Sequence, residues 1–129
     1  MREHTITMPD GRTVAFATYG PDAGTPVLWC HGGPGSRLEP AGVEPFLDAL
    51  GLRVVGIDRP GYGLSSLRLG RSIADWVPDG LAVADALGID RFLAVGVSTG
   101  GAYALATAAL APDRVRGVVA CCAMTDMRH

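Results

Sequence analysis

Hydrophobic positions along the chain recur with two periods, and the switches between them mark out the elements. Residues 3–8, EHTITM, alternate polar with β-branched or apolar side chains, the pattern of a strand with one buried face. Pro9–Arg12 reads as a turn, because proline presets φ and glycine tolerates positive φ. TVAFATYG (13–20) then reads as the hairpin partner. PVLWC (26–30), LRVVGI (52–57) and FLAVGV (92–97) are short, mostly apolar runs of the kind buried on both faces in a parallel sheet, and VRGVVACC (115–122) closes the series. Between them the period lengthens. EPAGVEPFLDAL (39–50) predicts a helix in its second half, stopped by Gly51. Ser72 can cap a helix with Asp75 at its third position, and Trp76, Gly80, Val83 and Leu87 follow at helical spacing. Pro78 should kink that helix or shorten its first turn. Residues 99–111 predict an alanine-rich helix stopped by Pro112.

The order is a hairpin, then strand and helix three times, then a strand. It predicts an α/β fold: a mostly parallel sheet with helices on both faces, right-handed crossovers and an N-terminal β-hairpin. No internal repeat or low-complexity linker divides the chain, so 1–129 reads as a single domain. Ligands of such sheets bind outside the carboxyl ends of the strands. The loops expected there are 31–37, 58–66 and 97–100, which are also the most unusual stretches of the sequence.

Composition narrows the choice of partner. The chain is 48% hydrophobic with a formal net charge of −2, which suits a packed core and gives no strong pull toward polyanions or membranes. Every basic residue is an arginine, and the arginines form no block, so no nucleic-acid footprint is expected. The three cysteines, Cys30, Cys121 and Cys122, include an adjacent pair poorly placed to bridge each other, and they read as small apolar fillers. The polar N-terminus lacks the order of a signal peptide, and no apolar run reaches the roughly 20 residues that span a bilayer. A soluble, cytoplasmic protein is expected.

The segment GVSTGG (96–101) joins a buried strand directly to a helix. A turn that abrupt strains the backbone of Ser98 and leaves no room for neighbouring side chains. Gly96 and Gly100 remove them, and Gly101 lets the helix pack close. The hydroxyl is then projected above the sheet, as in the Gly-x-Ser-x-Gly elbow. The N–H of Thr99 would lie at a helix N-terminus, where donors are free and the dipole favours negative charge. A second donor would come from a glycine-rich loop at an adjacent strand end, and Gly33 of His31-Gly32-Gly33-Pro34-Gly35 is the candidate. His31 could act as a base, although a residue at a strand end suits holding the loop by hydrogen bonds. Asp58, Arg59 and Tyr62 read as residues that fix a Gly/Pro loop beside the pocket, and Trp76 as core. The bland alternative for Ser98 is a small residue in a tight turn, or a phosphate cradle. The chain has no lysine, which speaks against a Walker-type loop.

LWCHGGPGS, VVGIDRPGYGLSS and AVGVSTGGAYALATAALAPDRVRGVV together resemble, in order and spacing, the amino-terminal half of an α/β-hydrolase-fold enzyme. The resemblance implies Ser98 as nucleophile and the N–H groups of Gly33 and Thr99 as oxyanion donors. It also implies an ester or related acyl substrate and no cofactor or metal. HGGPG is similar to the loop of proline iminopeptidases, but GVSTGG lacks the tryptophan usual in their elbow, so an esterase-like hydrolase is the safer expectation.

In that family the acid and then the histidine follow the serine. After Ser98 this chain has only Asp113, Asp126 and His129. Asp113 lies beyond a predicted helix about 20 Å long, at the wrong end of the sheet. Asp126 and His129 follow the last strand, at the right end, where a makeshift Ser98–His129 pair oriented by Asp126 is geometrically conceivable. The family pattern continues well beyond the end of this sequence, so the chain reads as a truncated or naturally shortened hydrolase. Its alternative is a non-catalytic pseudoenzyme that binds a small molecule or a partner chain. An apolar last strand left at the sheet edge is prone to pair with another chain, so a homo-oligomer through 115–122 is expected.

Overall fold

The computed structural model describes residues 1–124. The predicted strands all form in one six-stranded sheet: β1 (Arg2–Thr7), β2 (Thr13–Tyr19), β3 (Thr25–Cys30), β4 (Leu52–Ile57), β5 (Phe92–Val97) and β6 (Val115–Cys121). Their spatial order is β1-β2-β4-β3-β5-β6. The hairpin pairs antiparallel and β2 joins β4 antiparallel, while β4, β3, β5 and β6 run parallel. Three helices cross between the parallel strands: α1 (Leu47–Leu50), α2 (Val77–Ala86) and α3 (Gly100–Leu110).

Alternation along each strand assigns its side chains to the two faces of the sheet. Val14, Phe16, Leu28, Cys30, Val55, Ile57, Phe92 and Ala94 pack with Trp76, Val83 and Ala84 around α2, and with Ala104 of α3. The intervening residues Ala17, Tyr19, Val27 and Val54 face the other way and pack on Leu47 of α1, with Trp29, Leu93 and Val95 alongside. Helices therefore cover both faces, but unequally. Proline at the start of each 3₁₀ turn, Glu39–Gly42 and Glu44–Phe46, keeps the segment before α1 from forming α-helix, and Gly51 ends it in the left-handed region at φ 62°. A single α-turn remains. It leaves an apolar groove of about 300 Å³ over the sheet, lined by residues that include Val27, Trp29, Leu93 and Val119.

The helix predicted after Ser72 begins with a 3₁₀ turn, Ala74–Trp76, and becomes α-helical at Val77, with Pro78 in its first turn. The capping pair forms: the backbone N–H and hydroxyl of Ser72 donate to Asp75, and the Asp75 N–H donates to the Ser72 hydroxyl oxygen. Trp76 is fully buried, its ring resting over Gly80. Arg12, from the hairpin turn, reaches Asp79 with two parallel bonds of 2.8 Å and ties the hairpin to α2.

Two expectations need correction at β6. Cys121 and Cys122 are exposed, and only Cys30 packs as an apolar filler, with burial pushing its thiol pKa up to about 12. The strand also ends at Cys121, because Cys122 turns out of it at φ 50°. The exposure follows from the position of β6 at the edge of the sheet formed by the described residues. No helix among the described residues is long and apolar enough to cross a membrane.

Candidate active site

The carboxyl ends of the central strands are level. Cys30, the last residue of β3, stands opposite Ile57 of β4 on one side and Gly96 of β5 on the other. The loops after β3, β4 and β5 therefore leave the sheet side by side.

At the end of β5 the chain reverses into α3 through Ser98, whose φ is +53°. A left-handed conformation at a non-glycine residue costs on the order of 1–3 kcal/mol and persists only where the surroundings impose it. Here the Ser98 N–H donates to Cys121 O at 2.9 Å, and the Ser98 carbonyl accepts from the N–H groups of Gly101 and Met124 at 3.0 and 3.1 Å. The glycines around it are dictated by contact. A Cβ on Gly96 would stand 2.7 Å from Gly101 Cα, one on Gly100 would stand 2.6 Å from His31 O, and one on Gly101 would stand 3.0 Å from Ala123 Cα. Such distances to backbone atoms leave no room for a methyl group, so α3 can approach β3 and the chain after β6 only with glycine at all three positions. Ser98 itself is half-buried.

The loop after β3 lies against this turn. A Cβ on Gly32 would be 3.7 Å from Ser98 Cβ, and one on Gly33 would be 3.1 Å from Thr99 Oγ1 and 3.8 Å from the Tyr62 hydroxyl. Neither the Gly33 N–H nor the Thr99 N–H donates to another described residue. The first N–H groups of a helix have no partner within it, and Thr99 immediately precedes α3. Two residues from separate loops that meet at the Ser98 turn thus each carry an amide without a partner among the described residues.

His31 is fully buried. Its Nδ1 bonds Gly32 O at 2.6 Å, and its Nε2 accepts the backbone N–H of Arg59 at 3.3 Å. This pattern requires the neutral ring with its proton on Nδ1. Burial, and secondarily the charge of Arg59, holds the His31 pKa below the usual imidazole value. To act as a base His31 would have to release the Arg59 amide. Asp58, also buried, accepts from the backbone and guanidinium of Arg37 at 2.6 and 2.8 Å and from Leu64 N–H at 2.9 Å, while its carbonyl accepts the Ser65 hydroxyl. All the bonds of its side chain are to the loops it fixes.

Two groups around the first glycine loop escaped sequence reasoning, wholly or in part. The Glu39 carboxylate accepts from Trp29 Nε1 at 2.6 Å and from the Gly32 N–H at 3.1 Å. Nothing local in EPAG announces that contact. Arg59 was legible as a loop residue, but not its full burial or its bonds to the His31 and Gly32 carbonyls. Asp126 and His129, the sequence candidates for acid and base, lie outside the described residues. Asp113 follows α3 and stands at the far end of the sheet from Ser98. Among the described residues no group of three His, Cys, Asp or Glu side chains gathers where it could hold a metal ion.

Residues 25–129 match the family described as alpha/beta hydrolase fold. The chain is 42% identical over 117 residues to 2-hydroxymuconate semialdehyde hydrolase of Pseudomonas putida, covering 84% of this chain and 42% of that protein. It is 36% identical over 122 residues to a probable proline iminopeptidase of Streptomyces coelicolor, covering 88% and 38%. Its structure superposes on a thermophilic esterase from Thermogutta terrifontis with a TM-score of 0.82 at 28% identity, covering 96% of this chain and 46% of the esterase. The chain spans less than half the length of these relatives. By sequence match and by architecture, it belongs to the α/β-hydrolase-fold family.

Proposed function

We propose that this protein is a serine hydrolase acting on a carboxylic ester or a related acyl compound, with Ser98 as the nucleophile and the N–H groups of Gly33 and Thr99 as the oxyanion site. One observation carries the reading: a serine held at positive φ on a strand-to-helix turn, where two residues meet whose amides have no partner among the described residues. The Ser98 oxygen attacks the acyl carbon while its proton passes to a base. The carbonyl oxygen becomes an oxyanion, held by the two amides and the N-terminal dipole of α3. The C–O bond to the alcohol then breaks, the alcohol leaves with a proton, and water hydrolyses the acyl-serine. The reaction needs no cofactor. The hydrolase, peptidase and esterase relatives support hydrolysis as the reaction class.

A second reading, a non-catalytic family member that binds a small molecule or a partner chain, is favoured by the engagement of both His31 ring nitrogens within its own loop. A serine without a base is a poor nucleophile at neutral pH, although an oxyanion site retains some acceleration by itself. Labelling by a fluorophosphonate probe and turnover of p-nitrophenyl acetate, measured beside Ser98→Ala, separate the two. Loss of both signals in Ser98→Ala supports the enzyme, and equal signals in the two proteins refute it. A rate that rises through a pKa near about 6.5 would identify a histidine as the base.

A further inference from the structure

We propose that Arg59 is the positioning residue of this site, aiming the Gly33 N–H at the reacting carbonyl by gripping the two carbonyls that precede it. The inference rests on the serine-hydrolase reading above. Arg59 is 1% exposed, and no carboxylate among the described residues pairs with it. Its guanidinium lies between two aromatic rings, 4.9 Å from the centre of Tyr62 and 4.5 Å from that of Tyr103. Its Nη1–H donates to His31 O and its Nη2–H to Gly32 O at 3.1 Å, while its backbone N–H holds the His31 ring at 3.3 Å. Burying a cation without a counter-ion is costly. Two cation–π contacts and two carbonyls offset that cost, and both carbonyls belong to one short loop.

Peptide planarity turns this grip into aim. In a trans peptide the C=O and N–H of one unit point in opposite directions. Holding His31 O toward Arg59 directs the Gly32 N–H away from it, and that N–H meets Glu39 at 3.1 Å on the other side. Holding Gly32 O toward Arg59 likewise directs the Gly33 N–H away, and that N–H has no partner among the described residues. The planar fork of arginine suits two adjacent carbonyls; the single ammonium of lysine does not reproduce it. The buried positive charge also favours negative charge developing nearby.

The test uses the full chain, with Arg59→Met, Arg59→Lys and Ser98→Ala beside the wild type. Two quantities are read: the Ser98-dependent hydrolysis of p-nitrophenyl acetate as separate kcat and KM, and the amide hydrogen exchange of residues 31–33. Removing one oxyanion donor outright costs about 100- to 1,000-fold in kcat. Mis-aiming one is therefore expected to cost at least about tenfold in Arg59→Met with KM within about twofold, and exchange at Gly32 should accelerate. Arg59→Lys, which keeps the charge, should fall between, and it decides the matter if Arg59→Met fails to fold. A folded variant with unchanged kcat, or with unchanged exchange at Gly32, overturns the proposal. A loss confined to KM overturns it as well. Equal rates in wild type and Ser98→Ala overturn the serine reading and the aiming role together. The exchange measurement then shows separately whether Arg59 grips the loop at all.

Discussion

Gly100→Ala isolates the close approach on which the site is built. Gly100 opens α3, and a Cβ there would overlap Cys30 O and stand 2.6 Å from His31 O. Ordinary van der Waals contact requires about 3.5 Å or more, so the start of α3 and the end of β3 must separate by about 1.5 Å to clear Cys30 O. Overpacking of that kind costs about 1–3 kcal/mol. From the middle of that range, about 2 kcal/mol, alanine returns up to about 1 kcal/mol through its better helix propensity, leaving a net loss of about 1–2 kcal/mol. With a urea dependence near 2 kcal/mol per molar, the unfolding midpoint should fall by about 0.5–1 M. The same displacement moves the 31–33 loop away from Ser98 and Thr99, and a misplacement of about 1 Å costs on the order of 100-fold in rate. Urea titration followed by circular dichroism, together with Ser98-dependent hydrolysis, reads both effects. Gly42→Ala serves as the control, since a Cβ there meets nothing within 4 Å. If Gly100→Ala kept the wild-type midpoint and a rate within about threefold, the claim that backbone contact assembles this site would be wrong.

Stability should also respond to pH through His31. Its pKa in the fold is lowered by burial and by Arg59, so below about pH 6.5 the unfolded chain takes up a proton that the folded chain resists. The unfolding free energy is therefore expected to fall as pH drops from 7.5 toward 5.5, and to level off below the folded-state pKa. Urea midpoints across that range should show less of this slope in His31→Gln, and an equal slope in both proteins would remove His31 as its source. Among the described residues β6 is an edge strand and its Val119 is 52% exposed, and we propose that this edge pairs with a second copy of the chain. Sedimentation at tens of micromolar should show a dimer that Val119→Lys converts to monomer; a monomeric wild type would end that expectation.

Strand positions, helix stops and the α/β class were all legible in the sequence, because each depends on neighbours along the chain. Alternation at 3–8 and 13–20, apolar runs at 26–30, 52–57 and 92–97, and the left-handed glycine at 51 carry their own local reasons. So does the serine flanked by glycines at a strand-to-helix turn, where crowding can be foreseen without knowing what does the crowding. Tertiary structure alone decided which atoms crowd it: Cys30 and His31 against Gly100, and Ala123 against Gly101. It also decided that β4 inserts between β2 and β3, that Glu39 reaches Gly32, and that Arg59 lies buried between two tyrosines. Apart from Glu39 with Gly32 and Arg59 with Tyr62, these contacts join residues distant in sequence, and their cost or benefit exists only once the sheet has brought the loops together. A chain can encode the bend that presents Ser98 within a few residues. The Gly32 carbonyl is held from 27 positions away, by an arginine that only the fold buries.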